Sequence, residues 1–475
     1  MILAIRRSIG GTFGSGETAK RSSSSSNARA RVAVNIVARS FARDSFARAL
    51  SAEAFVRAML DFERALAEAE ADAGVIPAEA ARVIAKACAD LRPAPEAIAS
   101  ESKRSGSLAV PLVKALTEQV ARVDARAAAF VHYGSTSQDV LDTALVLCVK
   151  PCLADADSVL ATAVSRLSDH ARRHAGVVML GRTLMQPATP ITAGLKIARW
   201  AAALHRCRLR LGVARDRALC VQLGGAVGTL DALGDKRAAV RGGVAERLGL
   251  GEARAWHDHR DELLRLMAEL AIVTITVGKI ARDVALLSQA EVGEMLESAP
   301  TKGVGGSSAM PHKRNPVACL QALAAAERVP GLMATLLSGA VGEHERALGG
   351  WQAELVTIPE LVDAAGGALD ALERIAGGLV VNAERMRANL ESLQGLVFSE
   401  RLARRLSRDT DRASAQALVD DWSAVAVKER RHLKDVAIAA RPSLAGQIDD
   451  VFSLDAIVGE LAPVLEETLA GIAEG

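Results

Sequence analysis

From Asp44 onward, apolar residues recur at spacings of three, four and seven, the pattern of helices that bury one face. Between Arg260 and Met295 there is no proline, and Leu263, Met267, Leu270, Val277, Ile280, Val284 and Leu287 draw a single apolar stripe. At about 1.5 Å per residue this predicts a helix of roughly 50 Å. A second long helix is predicted over Gln138 to His174, kinked at Pro151, and a third from about Pro190 to Leu219. Helices of this length need partners along their whole extent. A bundle supplies them, and bundles meeting through exposed apolar stripes would build an oligomer.

Composition narrows this to an all-α chain. Half of the 475 residues are apolar but only 3% are aromatic, so Ala, Leu, Val and Ile must fill a close-packed helical core. Net charge is +2, yet residues 1–43 carry eight Lys and Arg against Glu17 alone, leaving the body slightly acidic. That body is not a polyanion binder, which excludes nucleic acid as a partner. No uncharged stretch reaches the roughly 18 residues a membrane helix needs, so no membrane span is expected. The six cysteines form no CxxC pair and read as reduced core residues of a cytoplasmic protein. Residues 1–43, with the serine run Ser22 to Ser26, are expected to be a disordered extension. The rest divides into a helical domain over 44–137, a central long-helix bundle over 138–360 and a helical domain over 361–475.

Turn chemistry concentrates in three places. His132-Tyr133-Gly134-Ser135-Thr136-Ser137-Gln138-Asp139 opens the second long helix; Ser135 and Gln138 fit a capping box, and a hydroxyl-rich helix start can also hold a carboxylate. In Gly181-Arg182-Thr183-Leu184-Met185-Gln186-Pro187, continuing to Pro190, two prolines keep the backbone extended and leave Arg182, Thr183 and Gln186 as donors, although a plain helix connection reads the same way. In the third, Gly303, Gly305 and Gly306 precede Ser307 and Ser308, and Lys313 and Asn315 offer a charge and an amide to an anion. A phosphate loop is excluded, because its Lys-Ser/Thr ending is missing.

Gly306-Ser307-Ser308-Ala309-Met310-Pro311-His312-Lys313-Arg314-Asn315-Pro316 resembles the GSSxMPxKxNP signature of the fumarase/aspartase superfamily, and 134–139 and 181–183 resemble its other two active-site segments in order. The resemblance covers the chain from about residue 44. It implies a three-domain helical subunit and a homotetramer with a central many-helix bundle. It implies further that each active site is shared by segments of three subunits and uses no metal or organic cofactor. By the same resemblance Ser307 transfers the proton, and Lys313, Asn315, Thr136, Ser137 and Gln138 hold substrate carboxylates, with His132, Arg182, Thr183, Gln186 and Arg346 as further substrate contacts.

Two absences point to one branch. Where the fumarases have a histidine in the second segment this chain has Leu184, and where the adenylosuccinate lyases have one it has Pro187; the glutamate that pairs with it is replaced by Leu320. Expelling water or an amine needs that acid, whereas a carboxylate with a solution pKa near 4 leaves unaided. Opening or closing a lactone by an internal carboxylate fits. The runs 181–196 and 222–230, Trp256-His257 with Arg260-Asp261, and Glu343 to Gln352 resemble the cycloisomerase family that lactonises the tricarboxylate 3-carboxy-cis,cis-muconate in protocatechuate breakdown, the beta-ketoadipate pathway. The alternative is a lyase releasing fumarate from a succinyl-type substrate such as adenylosuccinate.

Overall fold

The computed structural model describes residues 36, 37, 39–298, 305, 306, 310 and 312–473. The chain divides into two compact units, Met1–Phe41 and Ala42–Gly475. In the first, Ser40 Oγ donates to the Val37 carbonyl (2.7 Å); the disordered extension expected over 1–43 falls largely outside the described residues. Arg43, at its end, is anchored in the second unit, its guanidinium donating to Asp155 (2.7 and 3.0 Å) and Glu373 (3.0 Å).

Among the described residues the second unit is all-α apart from two small antiparallel sheets of two strands each. It begins with α1 (Asp44–Ala49), α2 (Ala52–Asp72), α3 (Ala78–Asp90), α4 (Pro95–Ser105) and α5 (Ala109–Ala121). Ser51 starts α2 by accepting from the Ala54 amide (3.2 Å). Met59, Phe62 and Leu66 then pack with Ile84 of α3 and with Leu112 and Leu116 of α5 in one core.

The long helices follow as α6 (Ser137–Arg173), the strands β1 (Val178–Thr183) and β2 (Gln186–Thr192), α7 (Ala193–Ala218), the short α8 (Arg237–Leu248), α9 (Asp261–Leu287), β3 (Met295–Glu297), α10 (Val317–Gly339), α11 (Gly350–Gly378) and β4 (Leu379–Val381). Helices α6, α7, α9, α10 and α11 share the largest core, lined by Leu160, Ile197, Leu204, Leu270, Val277, Ala322, Leu369 and their neighbours. With α12 (Ala383–Glu391), α13 (Ser399–Leu406), α14 (Arg412–Glu429), α15 (Leu433–Ala440) and α16 (Leu454–Ala473) a third core forms around Phe398, Leu402, Val419 and Trp422, and Val178 and Leu180 of β1 enter it. The central hairpin is therefore clamped to the C-terminal helices.

Three expected boundaries move. The helix predicted to run to Met295 stops at Leu287, where Gly293 (φ +61°) turns the chain into β3, which pairs antiparallel with β4. The helix predicted from Pro190 starts at Ala193, because Thr192 caps it by accepting from the Leu195 amide (3.1 Å). The segment before it is not a helix connection but the antiparallel hairpin β1–β2, bulged between Leu180 and Arg182. Gly181 sits in that bulge, and a Cβ there would lie 2.5 Å from the Thr189 carbonyl oxygen. At the tip Leu184 (φ +48°) and Met185 (φ +65°) occupy a two-residue turn that usually carries Asn-Gly. All six cysteines are free, five of them buried, and among the described residues no helix is long and apolar enough to cross a membrane.

Candidate active site

Helix α6 opens one half of the site. Its cap is Thr136 rather than the Ser135 predicted: Asp139 at the third helical position accepts from the Thr136 amide (3.0 Å), so the box is shifted one residue along. Asp139 also accepts from Gln222 Nε2, Gly224 N and Gly225 N, each at 2.9 Å. Burial pushes its carboxyl up to about 6, against the pull of those donors. A cavity of about 510 Å³ stands over this helix start, walled by His132, Ser135, Thr136 and Ser137 and by Lys114 and Glu118 of α5. Arg346, arriving between α10 and α11, donates from Nη2 to Thr136 Oγ1 (3.0 Å). Of the expected carboxylate binders at this helix start, Thr136 and Ser137 face the cavity. Gln138 does not, being fully buried with its amide donating to Asp142 Oδ2 (3.3 Å) and the His257 carbonyl (3.2 Å).

The hairpin carries the second half. Arg182 and Thr183 line a cavity of about 640 Å³ together with Lys196, Arg199 and Trp200 of α7 and Lys279 of α9. The Arg182 guanidinium is not idle there: it donates from both Nη atoms to the buried carboxylate of Glu294 (2.8 and 2.6 Å), a forked pair that fixes its plane. Gln186 is exposed at the start of β2. Three residues beyond Glu294, Glu297 accepts from the Ala318 amide (2.9 Å) and so caps α10, which brings the end of the signature segment to this same region. Lys313 and Asn315 are exposed, and the Asn315 amide donates to the Gly305 carbonyl (2.7 Å). Gly305 (φ +72°) approaches so closely that a Cβ would meet the Asn315 oxygen at 2.5 Å. Ser307, expected to move the proton, lies outside the described residues.

The two halves stand at opposite ends of the subunit. Thr136 begins α6 and β1 follows its far end, and the helix has 37 residues, so about 55 Å separate them. Helix α10 repeats the arrangement, with the signature segment before Val317 and Arg346 beyond Gly339. His257 is buried with Nδ1 3.3 Å from Gln222 Nε2, and burial lowers its pKa. His312 is exposed. Leu320, which stands where the dyad's glutamate would be, is 55% exposed on the outer face of α10 in the subunit.

Partners of the site that the reading of the sequence missed are acids. Glu63 is 1% exposed on α2 and its Oε1 lies 2.6 Å from His132 Nδ1. Asp142 and Glu354 hold Arg260 behind Gln138. A signal for Glu63 existed: it occurs four residues after Met59 and three before Leu66, inside the apolar stripe of its helix. Glu294 had none, since nothing in its neighbourhood relates it to Arg182.

Residues 38–331 match the pattern of the family described as Lyase. The chain is 46% identical to a 3-carboxy-cis,cis-muconate cycloisomerase of Bradyrhizobium diazoefficiens over 80% of this chain and 84% of that one. It is 40% identical to one of Acinetobacter baylyi over 88% and 94%. The solved structure of a 3-carboxy-cis,cis-muconate lactonizing enzyme from Pseudomonas putida is similar at a TM-score of 0.85 and 38% identity, covering 91% of this chain and 98% of that one. A family pattern over most of the chain and a shared fold over nine tenths of it agree with the signature at 306–316, and the chain belongs to the lyase family of the fumarase/aspartase superfamily.

Proposed function

We propose that this protein is an enzyme that closes 3-carboxy-cis,cis-muconate to 4-carboxymuconolactone, the cycloisomerase step of protocatechuate breakdown. The observation that carries the reading is the pair Pro187 and Leu320, which leaves the two positions of an acid–base dyad without a titratable group, in a chain 46% identical to a cycloisomerase. One substrate carboxylate adds through oxygen to the conjugated double bond. The carbon next to another carboxylate gains the electron pair, which spreads into that group as an enolate-like dianion. A proton delivered to that carbon completes the isomerisation without a co-reactant. Ser307 delivers it, and in the reverse direction its alkoxide removes it. Lys313, Asn315, Arg346, Thr136 and Ser137 hold carboxylates, with His132, Arg182, Thr183 and Gln186 around them and Gln138 supporting the helix start from behind.

The assembly we propose is a homotetramer whose sites each take segments from three subunits. Two features support it. The halves of the site are about 55 Å apart in one chain. The bundle also exposes Leu209 and Val213 on α7, Ile272 and Ile275 on α9 and Leu337 on α10. Six cysteines free of disulfides support a reducing compartment, read here as the cytoplasm. The test is the ultraviolet absorbance of 3-carboxymuconate, which should disappear on adding purified protein without added metal. Efficient cleavage of adenylosuccinate with no loss of muconate absorbance would overturn the proposal in favour of a fumarate-releasing lyase.

A further inference from the structure

We infer that Glu63 is a positioning residue of the active site: its buried carboxylate grips His132 by Nδ1 and turns the opposite ring nitrogen, as a donor, toward the cavity at the start of α6. The inference rests on the proposal above that this half-site receives a substrate carboxylate. The contact spans 69 residues of sequence at 2.6 Å, within the range of a charge-assisted bond. Glu63 is 1% exposed and its other oxygen has no hydrogen-bond partner among the described residues, so its hydrogen bonding goes to the ring. Among the described residues the ring makes no further hydrogen bond. His132 is a wall of the cavity. It also holds a left-handed backbone (φ +60°), which a side chain other than glycine keeps only when its surroundings impose it.

The neighbouring charges agree with a protonated ring. Burial lowers the His132 pKa, but the charge and hydrogen bond of Glu63 and the charge of Asp139 on α6 raise it above its ordinary value on balance. From α5, Lys114 and Glu118 face the same cavity as a pair 4.0 Å apart and largely cancel. On α2 itself Glu70 is pushed up to about 9 by burial and by the charge of Glu63, so near neutrality it carries a proton and does not compete. An imidazolium beside the first amides of a helix is a suitable seat for one carboxylate of a small polyanion.

A histidine with a raised pKa binds the carboxylate below that pKa and releases it as pH rises through it. With the full-length protein and 3-carboxymuconate, Glu63→Gln should raise KM about tenfold to a hundredfold while kcat changes less, the range of one charge-assisted hydrogen bond. The alkaline limb of kcat/KM should move to lower pH, and Glu63→Asp, which keeps the charge on a shorter stem, should restore part of the affinity. A readout free of turnover is the ring nitrogen shift of His132 in nitrogen-15-labelled protein, identified by its loss in His132→Gln. In the wild type it should report imidazolium above the ordinary histidine range, and in Glu63→Gln a neutral ring at the same pH. A folded Glu63→Gln with wild-type KM and pH limb would overturn the inference. So would a wild-type ring that titrates at or below the ordinary value, a result that needs no variant to fold. A wild type inert toward muconate but with a high-titrating His132 ring would sink the functional proposal and leave the Glu63 pairing standing.

Discussion

Among the described residues Arg260 is the single cation in a buried cluster behind the start of α6, and removing it is the sharpest test of how the site is supported. Its Nη atoms donate to Asp142 (2.6 and 3.1 Å) and its Nε donates to Glu354 (2.8 Å). Trp351 Nε1 (3.0 Å) and Gln138 Nε2 (3.3 Å) complete the shell of Asp142. All three charged groups are at most 7% exposed. With charge centres about 4 Å apart and an effective dielectric near 20, each pair is worth about 4 kcal/mol before desolvation is charged against it. Arg260→Met keeps the stem and leaves two buried carboxylates unpaired, a change that typically costs about 3–5 kcal/mol. The guanidinium also lies 4.7 Å over the Trp256 ring, and that contact adds about 1 kcal/mol to the loss. Burial already holds the Glu354 carboxyl above its usual range despite Arg260. A carboxyl with a raised folded pKa binds more protons in the native state, so its contribution to stability falls as pH rises. The defect of Arg260→Met should therefore be larger near pH 8 than near pH 5.5, where the orphaned acids take up protons. Urea unfolding followed by far-ultraviolet circular dichroism at both pH values measures it. A loss below about 1 kcal/mol, or one independent of pH, would refute the assignment of these contacts as a buried charge cluster.

Two further substitutions probe other parts of the fold. Ser307→Ala should lower kcat by at least about a hundredfold while substrate affinity, measured by calorimetry, is retained; activity near wild type would move the proton to a histidine. Gly181→Ala puts a Cβ 2.5 Å from the Thr189 carbonyl oxygen, so the β1–β2 bulge must shift at a cost of about 1–3 kcal/mol. A lower melting temperature together with reduced turnover is the expected result, and an unchanged melting temperature would mean that the bulge relaxes freely.

The helices were legible because their information is local. Leu263 through Leu287 recur at spacings of three, four and seven without a proline, and that run became α9, although the helix stops eight residues short of the predicted Met295. The hairpin was not, since Pro187 and Pro190 indicate only an extended backbone, and only the pairing of Met179 with Ile191 and Thr183 with Gln186 turns that segment into a sheet. The cap of α6 was displaced by one residue for a related reason. Ser135 and Thr136 are equivalent as local hydroxyls, and the choice falls to Asp139, whose oxygens are tied to Gly224 and Gly225 some eighty residues away. The same holds across the site. The residues whose types suggested anion binding are present, but the acids that orient them, Glu63 for His132 and Glu294 for Arg182, are fixed by tertiary contacts.

Charge balance explains why such a site would be divided between copies of the chain. A tricarboxylate needs several cations converging on a small volume, yet within one subunit Arg182 is already neutralised by Glu294, and Lys196 and Lys279 both lean on Asp283. Lys313 remains at that end as an exposed charge, while Arg346 and His132 stand at the other, a helix length of about 55 Å away. No single small substrate can reach both. Bringing the α6 start of one copy to the signature segment of another would join these cations, and the apolar side chains exposed along α7, α9 and α10 would give the copies a reason to associate. The cost of desolvating isolated charges then falls on the assembled site, where the substrate carboxylates neutralise them, rather than on the folding of each subunit.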